Sequence, residues 1–85
     1  FGADWCMPCK HLEPVLEQLM LTHAVEIASV DVQKTEAAID TYNVRSLPTM
    51  VLFVNGHPDK AISGARSRRH IIEYFELEPR NNGQS

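Results

Sequence analysis

The sequence predicts a single α/β domain, a mixed β-sheet flanked by helices on both faces. Three observations support this class. Apolar residues follow Cys6 at helical spacing, two apolar stretches of strand length lie at residues 25–32 and 49–54, and an Asn-Gly pair follows the second stretch. A chain of 85 residues suits one domain with one modest core. The predicted order is strand end, helix, strand, helix, strand, strand, helix.

The first elements are a strand end and a long helix. Residues 1–3 are predicted to be the last part of a strand. The helix covers residues 6–21, and the polar residues between its apolar positions lie on the other side. Pro14 falls inside the helix and removes a backbone donor, so we expect a kink near Lys10. The apolar positions are Leu12, Val15, Leu16, Leu19 and Met20.

Two predicted strands surround a short helix. Residues 25–32 have apolar side chains at both odd and even positions, which is typical of a strand covered on both faces. A helix is expected over residues 35–42, with Thr35 as its cap. A strong strand over residues 49–54 then follows Pro48.

The last elements are a second hairpin strand and a helix. Asn55-Gly56 indicates a tight turn, and we expect His57-Pro58 to lengthen the loop before a strand over residues 60–63. Ser67 is the predicted cap of the final helix, whose Ile71, Ile72 and Phe75 face inward.

These connections predict the topology. A crossover through residues 35–42 suits parallel strands, whereas the Asn-Gly turn requires an antiparallel pair, and the sheet is therefore mixed. We assign residues 1–77 to the domain and residues 78–85 to a flexible, polar C-terminal tail.

Composition argues against two function classes. The formal charge is -3, and Lys and Arg are spread along most of the chain, which argues against a nucleic-acid-binding protein. No apolar run approaches the roughly 20 residues that a membrane-crossing helix needs. We expect a monomer that binds neither nucleic acid nor membrane.

The two cysteines indicate redox chemistry. A disulfide between Cys6 and Cys9 closes too short a loop to add much stability. A chemical role therefore explains the two cysteines better than a structural one. The helix N-terminus favours a thiolate, and the pKa of the Cys6 thiol is predicted to lie below its free value of about 8.5. We expect Cys6 to be exposed and to attack substrate disulfides, with the less accessible Cys9 resolving the mixed disulfide. Pro8 costs the helix little free energy, because N–H groups of the first turn have no partner within the helix. Trp5 offers a flat apolar surface beside the cysteines.

Two other uses of the cysteines stay open. With His11 the pair offers three metal ligands, fewer than the four of a structural zinc site. The pair could also be two inert, buried side chains.

The motif Trp5-Cys6-Met7-Pro8-Cys9-Lys10 resembles the active site of the thioredoxin family. Further features match in order over residues 1–77. They are Pro14 at the helix kink, Leu47-Pro48-Thr49 at the cis-proline loop, and Asn55-Gly56 with Gly64 around the hairpin.

The resemblance implies a protein-disulfide reductase with Cys6 and Cys9 as catalytic residues. It implies that Pro48 is cis and packs beside both cysteines. It implies no cofactor beyond the redox-active Cys6–Cys9 disulfide and no metal. The implied partners are disulfide-containing proteins and a separate electron donor of the thioredoxin-reductase type, in the cytoplasm. The implied substrate-binding residues are Trp5, Met7, Pro8, Leu47 and Pro48.

The sequence also departs from the family pattern. The family's buried Asp, which helps to deprotonate the resolving thiol, would precede Phe1 together with most of the central strand. Ser29 stands where a Lys is often found near that Asp, and Gly2 stands where the family usually has a larger residue. Two alternatives are therefore kept: a glutaredoxin-like, glutathione-dependent oxidoreductase, and a non-catalytic binding module.

Overall fold

The computed structural model describes residues 1–80. Over this range the chain forms three helices and two strands. In chain order these are α1 (Met7–Thr22), α2 (Ala37–Thr41), β1 (Thr49–Val54), β2 (His57–Ser63) and α3 (Arg68–Phe75). No helix within residues 1–80 is both long and apolar enough to cross a membrane.

Helix α1 begins and ends where local chemistry predicts. Cys6 occupies the N-cap position in an extended conformation, and a proline lies in the first turn, where its missing N–H has no intrahelical partner to lose. At the other end His23 is extended and donates its N–H to the Leu19 carbonyl at 2.8 Å. The helix predicted over residues 6–21 is confirmed. Pro14 lies inside it, so the Lys10 carbonyl receives no N–H from that residue.

The hairpin of β1 and β2 is tighter than predicted. Asn55 and Gly56 have φ values of 53° and 81°, which is the two-residue turn that suits antiparallel strands. The expected longer loop is wrong, because His57 and Pro58 already pair with Val54 and Phe53. An irregular register between Leu52 and Phe53 marks a bulge in the ladder. A bulge tolerates Pro58, which has no N–H for the ladder.

The strand predicted over residues 25–32 is wrong in part. Residues 25–30 belong to no helix and to no strand ladder within residues 1–80. Parallel pairing is limited to one bridge between Gly2 and Asp31, in which Gly2 donates to Val30 at 2.9 Å and accepts from Val32 at 3.0 Å. A strand assignment needs a continuous backbone partner, which apolar composition alone does not provide. The bridge confirms residues 1–3 as a strand end.

The start of α2 also differs from the prediction. Thr35 is not the cap. Glu36 takes that position without a side-chain hydrogen bond. Asp31 instead organises the preceding turn, since its carboxylate accepts from Gln33 at 2.9 Å and its carbonyl accepts from Lys34 and Thr35.

The core lies between α1, α3 and one face of the hairpin. Met50 and Leu52 of β1 pack against a buried cluster made by the two helices. Phe53 follows Leu52 directly in the strand and so lies on the opposite face. It contacts Tyr42 at the end of α2, with ring centroids 5.5 Å apart. Helices α1 and α3 therefore cover one face of the hairpin, and Tyr42, directly after α2, contacts the other. The buried cluster contains Leu12, Leu19, Ile71 and Phe75.

The C-terminal elements complete the domain. Ser67 caps α3 by accepting from the His70 N–H at 3.1 Å, as predicted. Beyond α3, Glu78 accepts from the Ala24 N–H and the Arg80 N–H donates to the Thr22 carbonyl, both at 2.9 Å. Residues 78–80 are thus hydrogen-bonded at the end of α1. The rest of the predicted tail, residues 81–85, lies outside the described residues, and the domain boundary stays a prediction.

Candidate active site

The two cysteines lie together at the start of α1. Cys6 precedes the helix and Cys9 lies in its first turn, and the two are joined by a disulfide with their Cα atoms 5.3 Å apart. The backbone N–H of Cys9 donates to the Sγ of Cys6 at 3.3 Å. Cys6 is therefore both a redox partner of Cys9 and the N-cap of the helix.

This position supplies positive potential to Cys6. A helix of 16 residues presents free backbone N–H groups and the positive end of its dipole at this terminus. The first turn contains no acidic side chain that would oppose them. A thiolate on Cys6 is stabilised in such a place, which favours both attack by Cys6 and its departure from a disulfide.

The accessibility of the two cysteines is the reverse of the prediction. Cys6 is buried, with only 3% of its surface exposed, whereas Cys9 is partly exposed. The expectation of an exposed Cys6 and a covered Cys9 is therefore wrong for the disulfide form. Gly2 lies against Cys9, since a Cβ placed on Gly2 would be 3.1 Å from the Sγ of Cys9.

The residues around Cys6 form an apolar surface. Trp5 is 65% exposed and Met7 is 58% exposed, and Pro8 is exposed as well. Large apolar side chains exposed side by side mark an interaction surface more often than isolated ones do. These three predicted substrate-binding residues lie next to the cysteines in space as well as in sequence.

The loop at residues 47–49 is fixed by main-chain hydrogen bonds. The Leu47–Pro48 peptide bond is cis, as predicted. The Pro48 carbonyl accepts from Gly64 at 2.7 Å, and the Thr49 N–H donates to the Phe1 carbonyl at 3.1 Å. These bonds hold the loop beside residues 1–3, which lead into the cysteine motif. Leu47 is half-buried and Pro48 is buried.

Cys9 and Pro48 line the same cavity, which agrees with the predicted proximity of Pro48 to the site. Residues 25–30, β1 and apolar side chains of α1 and α3 line it as well.

Sequence reasoning noted Gly2 as a departure from the family pattern but missed its contact with Cys9. A Cβ atom placed on Gly2 would lie 3.1 Å from the Sγ of Cys9, closer than ordinary contact allows. The signal was present in the sequence, since Gly2 occupies a position where the family pattern has a larger residue. Its consequence depends on the backbone bringing Gly2 against Cys9, which spacing did not reveal.

The proposed third metal ligand does not join the cysteines. His11 is exposed, and residues 1–80 contain no group of three or more His, Cys, Asp or Glu side chains placed to hold a metal ion. The arrangement of the site is that of a dithiol–disulfide pair.

Comparison with known proteins gives a consistent result. The Thioredoxin family profile matches residues 1–76. A thioredoxin of Mycobacterium bovis is 35% identical over 85 residues, which cover 96% of this chain and 73% of that protein. A thioredoxin-like protein of Synechocystis is 33% identical over 79 residues, covering 91% of this chain and 75% of that protein.

Solved structures agree with the sequence relatives. A mutant thioredoxin from Halobacterium salinarum superposes with a TM-score of 0.84 at 37% identity, covering 89% of this chain and 67% of that one. An oxidised thioredoxin from Plasmodium falciparum superposes with a TM-score of 0.77 at 29% identity, covering 88% and 75% of the two chains.

Proposed function

This chain belongs to the thioredoxin family and is a thiol–disulfide oxidoreductase, and we propose that Cys6 is its attacking thiol and Cys9 its resolving thiol in the reduction of protein disulfides. The observation that carries this assignment is the position of Cys6 as the N-cap of α1, with the Cys9 N–H 3.3 Å from its sulfur. Of the two sulfurs, Cys6 is the one that accepts this hydrogen bond, so its thiolate is the better stabilised.

The reaction proceeds by two exchanges. The Cys6 thiolate attacks one sulfur of a substrate disulfide, the substrate bond breaks, and the other substrate sulfur leaves as a thiolate. The Cys9 thiolate then attacks the Sγ of Cys6 and releases the second substrate sulfur. The substrate gains two electrons, and the chain is left with the Cys6–Cys9 disulfide, the form that the structure describes.

The surface around Cys6 suits a protein substrate. The exposed Trp5 and Met7, with Pro8 beside them, would contact the apolar surroundings of a substrate disulfide. The loop of Leu47 and Pro48, held in place by Gly64 and Phe1, would pair with an extended substrate segment through the Leu47 backbone.

Turnover requires a partner that restores the dithiol. We assign this role to a separate protein of the thioredoxin-reductase type, acting in a reducing compartment such as the cytoplasm, with the chain working as a monomer. A reducing environment keeps such a pair as thiols between turnovers.

The test is to trap the first intermediate. A Cys9→Ser variant lacks the resolving thiol, so its reaction with insulin should stop at a mixed disulfide on Cys6. The matched variant, Cys6→Ser, retains only Cys9 and should form much less adduct with this protein substrate. Intact-mass and fragment-ion mass spectrometry would locate the adduct.

Two outcomes would reject the assignment. One is a Cys9→Ser variant that forms no mixed disulfide while the wild-type chain reduces insulin. The other is a wild-type chain, fully reduced at the start, that turns over no protein disulfide, which would favour the non-catalytic binding module.

A further inference from the structure

We propose that Arg66 makes this chain prefer protein disulfides that lie next to an acidic side chain. This inference rests on the dithiol–disulfide exchange proposed above, and it names a substrate class for that same site. Arg66 lies in the connection between β2 and α3, outside the cysteine motif. It would act on the choice of substrate and not on the exchange of sulfur atoms.

The connection between β2 and α3 is bonded to the loop that would hold the substrate. The Gly64 N–H donates to the Pro48 carbonyl at 2.7 Å, and Pro48 lines the same cavity as Cys9. Residues that directly follow Gly64 therefore lie beside the loop whose Leu47 backbone would pair with an extended substrate segment.

The Arg66 side chain is anchored on the outer edge of β2. Because Gly64 bonds to Pro48, the alternation of an antiparallel ladder turns the preceding Ser63 carbonyl away from β1. The Nε and Nη2 atoms of Arg66 both donate to this carbonyl, at 3.1 Å and 2.9 Å. Two hydrogen bonds to one oxygen keep the guanidinium in place before any substrate arrives, which reduces the entropy that binding would cost.

Gly64 allows the guanidinium to lie close to the loop. The φ of Gly64 is 89°, a region that side chains other than glycine's rarely adopt. The Nε and Nη2 atoms of Arg66 would be 3.9 Å from a Cβ placed on Gly64. The positive charge therefore lies over the residue that is hydrogen-bonded to Pro48.

The guanidinium keeps donors for a ligand. Arg66 is exposed, and the N–H groups of its Nη1 atom form no hydrogen bond within residues 1–80. The carboxylates that form ion pairs in this part of the chain, Glu73 and Glu76, pair with Arg69 and Lys60 instead. A planar guanidinium with unused donors suits a carboxylate, whose two oxygens can accept parallel N–H bonds.

The sequence around the loop carries charges of one sign. No Asp or Glu occurs in residues 41–58 or 60–72, and the exposed Arg45 lies just before the cis-proline loop. On the other side of the site, Asp4 and Lys10 flank the cysteine motif with opposite charges. The formal charge of the whole chain is -3, but charges more than about 8 Å away are largely screened at physiological ionic strength. An acidic side chain beside the substrate disulfide should therefore be attracted locally.

The direct test compares three peptides of one sequence. Each is closed by a single disulfide and carries glutamate, glutamine or lysine beside both cysteines. Their reduction by the reduced chain is followed by acid quenching and chromatography, and each rate is divided by the rate of the same peptide with dithiothreitol, which removes differences in intrinsic reactivity. We expect the glutamate peptide to react about two to five times faster than the lysine peptide, with the glutamine peptide between them. Equal normalised rates, or a faster lysine peptide, would overturn the proposal.

Two variants with the same change of charge separate Arg66 from the total charge. Arg66→Gln should remove most of the preference for glutamate over lysine. Arg69→Gln is the matched control and should keep the wild-type ratio, because Arg69 is exposed on α3 and pairs with Glu73 at 3.2 Å. Each ratio compares two peptides on one chain, so a partly unfolded variant does not imitate the effect. An equal fall in both variants would mean that total charge sets the preference, and the assignment to Arg66 would be wrong.

Charge reversal distinguishes recognition from a structural role. Arg66→Glu should make the lysine peptide the faster one, which the mere loss of the hydrogen bonds to Ser63 would not do. A variant that still prefers the glutamate peptide would refute the role of Arg66. The glutamine peptide is neutral at these positions and reports on the exchange itself. If it is reduced while the charge preference does not depend on Arg66, this inference fails alone, whereas a reduced chain that reduces none of the peptides rejects the proposed function as well.

Discussion

The backbone N–H of Cys9 donates a hydrogen bond to the sulfur of Cys6 at 3.3 Å. Cys6 therefore caps α1 as well as bonding covalently to Cys9. Because the cap and the reactive sulfur are the same atom, the start of the helix and the chemistry of the site depend on each other.

A pair of substitutions at Cys6 separates the cap from the disulfide. Cys6→Ser and Cys6→Ala both abolish the disulfide, but a serine hydroxyl can still accept from the Cys9 N–H. We expect the alanine variant to have a free energy of unfolding about 1 kcal/mol lower than the serine variant. Urea denaturation of both variants under reducing conditions measures this difference. Equal stabilities would mean that α1 does not depend on its N-cap.

Two leucines of one helix should respond very differently to truncation. Leu19 is fully buried at 0% exposure, so Leu19→Ala should cost roughly 2–5 kcal/mol of unfolding free energy through lost burial and the cavity left behind. Leu21 is 72% exposed, and Leu21→Ala should change stability by no more than about 0.5 kcal/mol. Thermal melts followed by far-ultraviolet circular dichroism compare the two. Similar losses in both variants would contradict the placement of the α1 core face.

The hairpin turn requires a left-handed residue at Gly56. Its φ is 81°, and a Cβ added there meets nothing within 4 Å, so the cost of a side chain comes from the backbone alone. Gly56→Ala should lower the free energy of unfolding by about 1–2 kcal/mol. Gly56→Asn should cost less, because asparagine tolerates this region better. Chemical denaturation would rank the variants, and an alanine variant as stable as wild type would contradict the two-residue turn.

One ion pair gives a pH dependence with a defined sign. Lys60 lies 2.7 Å from Glu76, and this hydrogen bond, with the charge of Lys60, lowers the pKa of Glu76 below its ordinary value of 4.5. The contribution of Glu76 to the free energy of unfolding is therefore fully present above the pKa that its carboxyl has in the unfolded chain. It is lost as pH falls through the lower pKa that the carboxyl has in the folded chain. The same hydrogen bond raises the pKa of Lys60 above 10.5, so its contribution is lost as pH rises through the raised folded value.

Glu76→Gln isolates this effect. Between neutral pH and a pH of about 3, the urea midpoint of wild type should fall further than that of the variant. The difference should be small and should shrink in high salt, because the pair is exposed. Parallel pH profiles of wild type and variant would show that the pair contributes nothing to acid sensitivity.

Local chemistry made much of the fold predictable. The helix beginning at the cysteines, the cap at Ser67, the strand from Thr49 to Val54 and the turn at Asn55-Gly56 all follow from residues close to one another in sequence. The errors lie where the outcome depends on distant partners. Residues 25–30 are apolar enough for a strand, but a strand also needs a neighbouring backbone. The helix predicted at Thr35 starts later, because Asp31 organises the turn before it.

The sequence by itself determined that Cys6 and Cys9 lie at one helix terminus, because helix-start preferences and a spacing of three residues are local properties. Only the tertiary structure decided how exposed each cysteine is, since Cys6 is just 3% exposed although it lies before the helix begins, and Gly2 is held against Cys9 by its hydrogen bonds with Val30 and Val32. Exposure is a property of everything packed around an atom, and residues far apart in the chain contribute to it. The identity of the reacting pair is therefore local information, whereas the accessibility of each member is not.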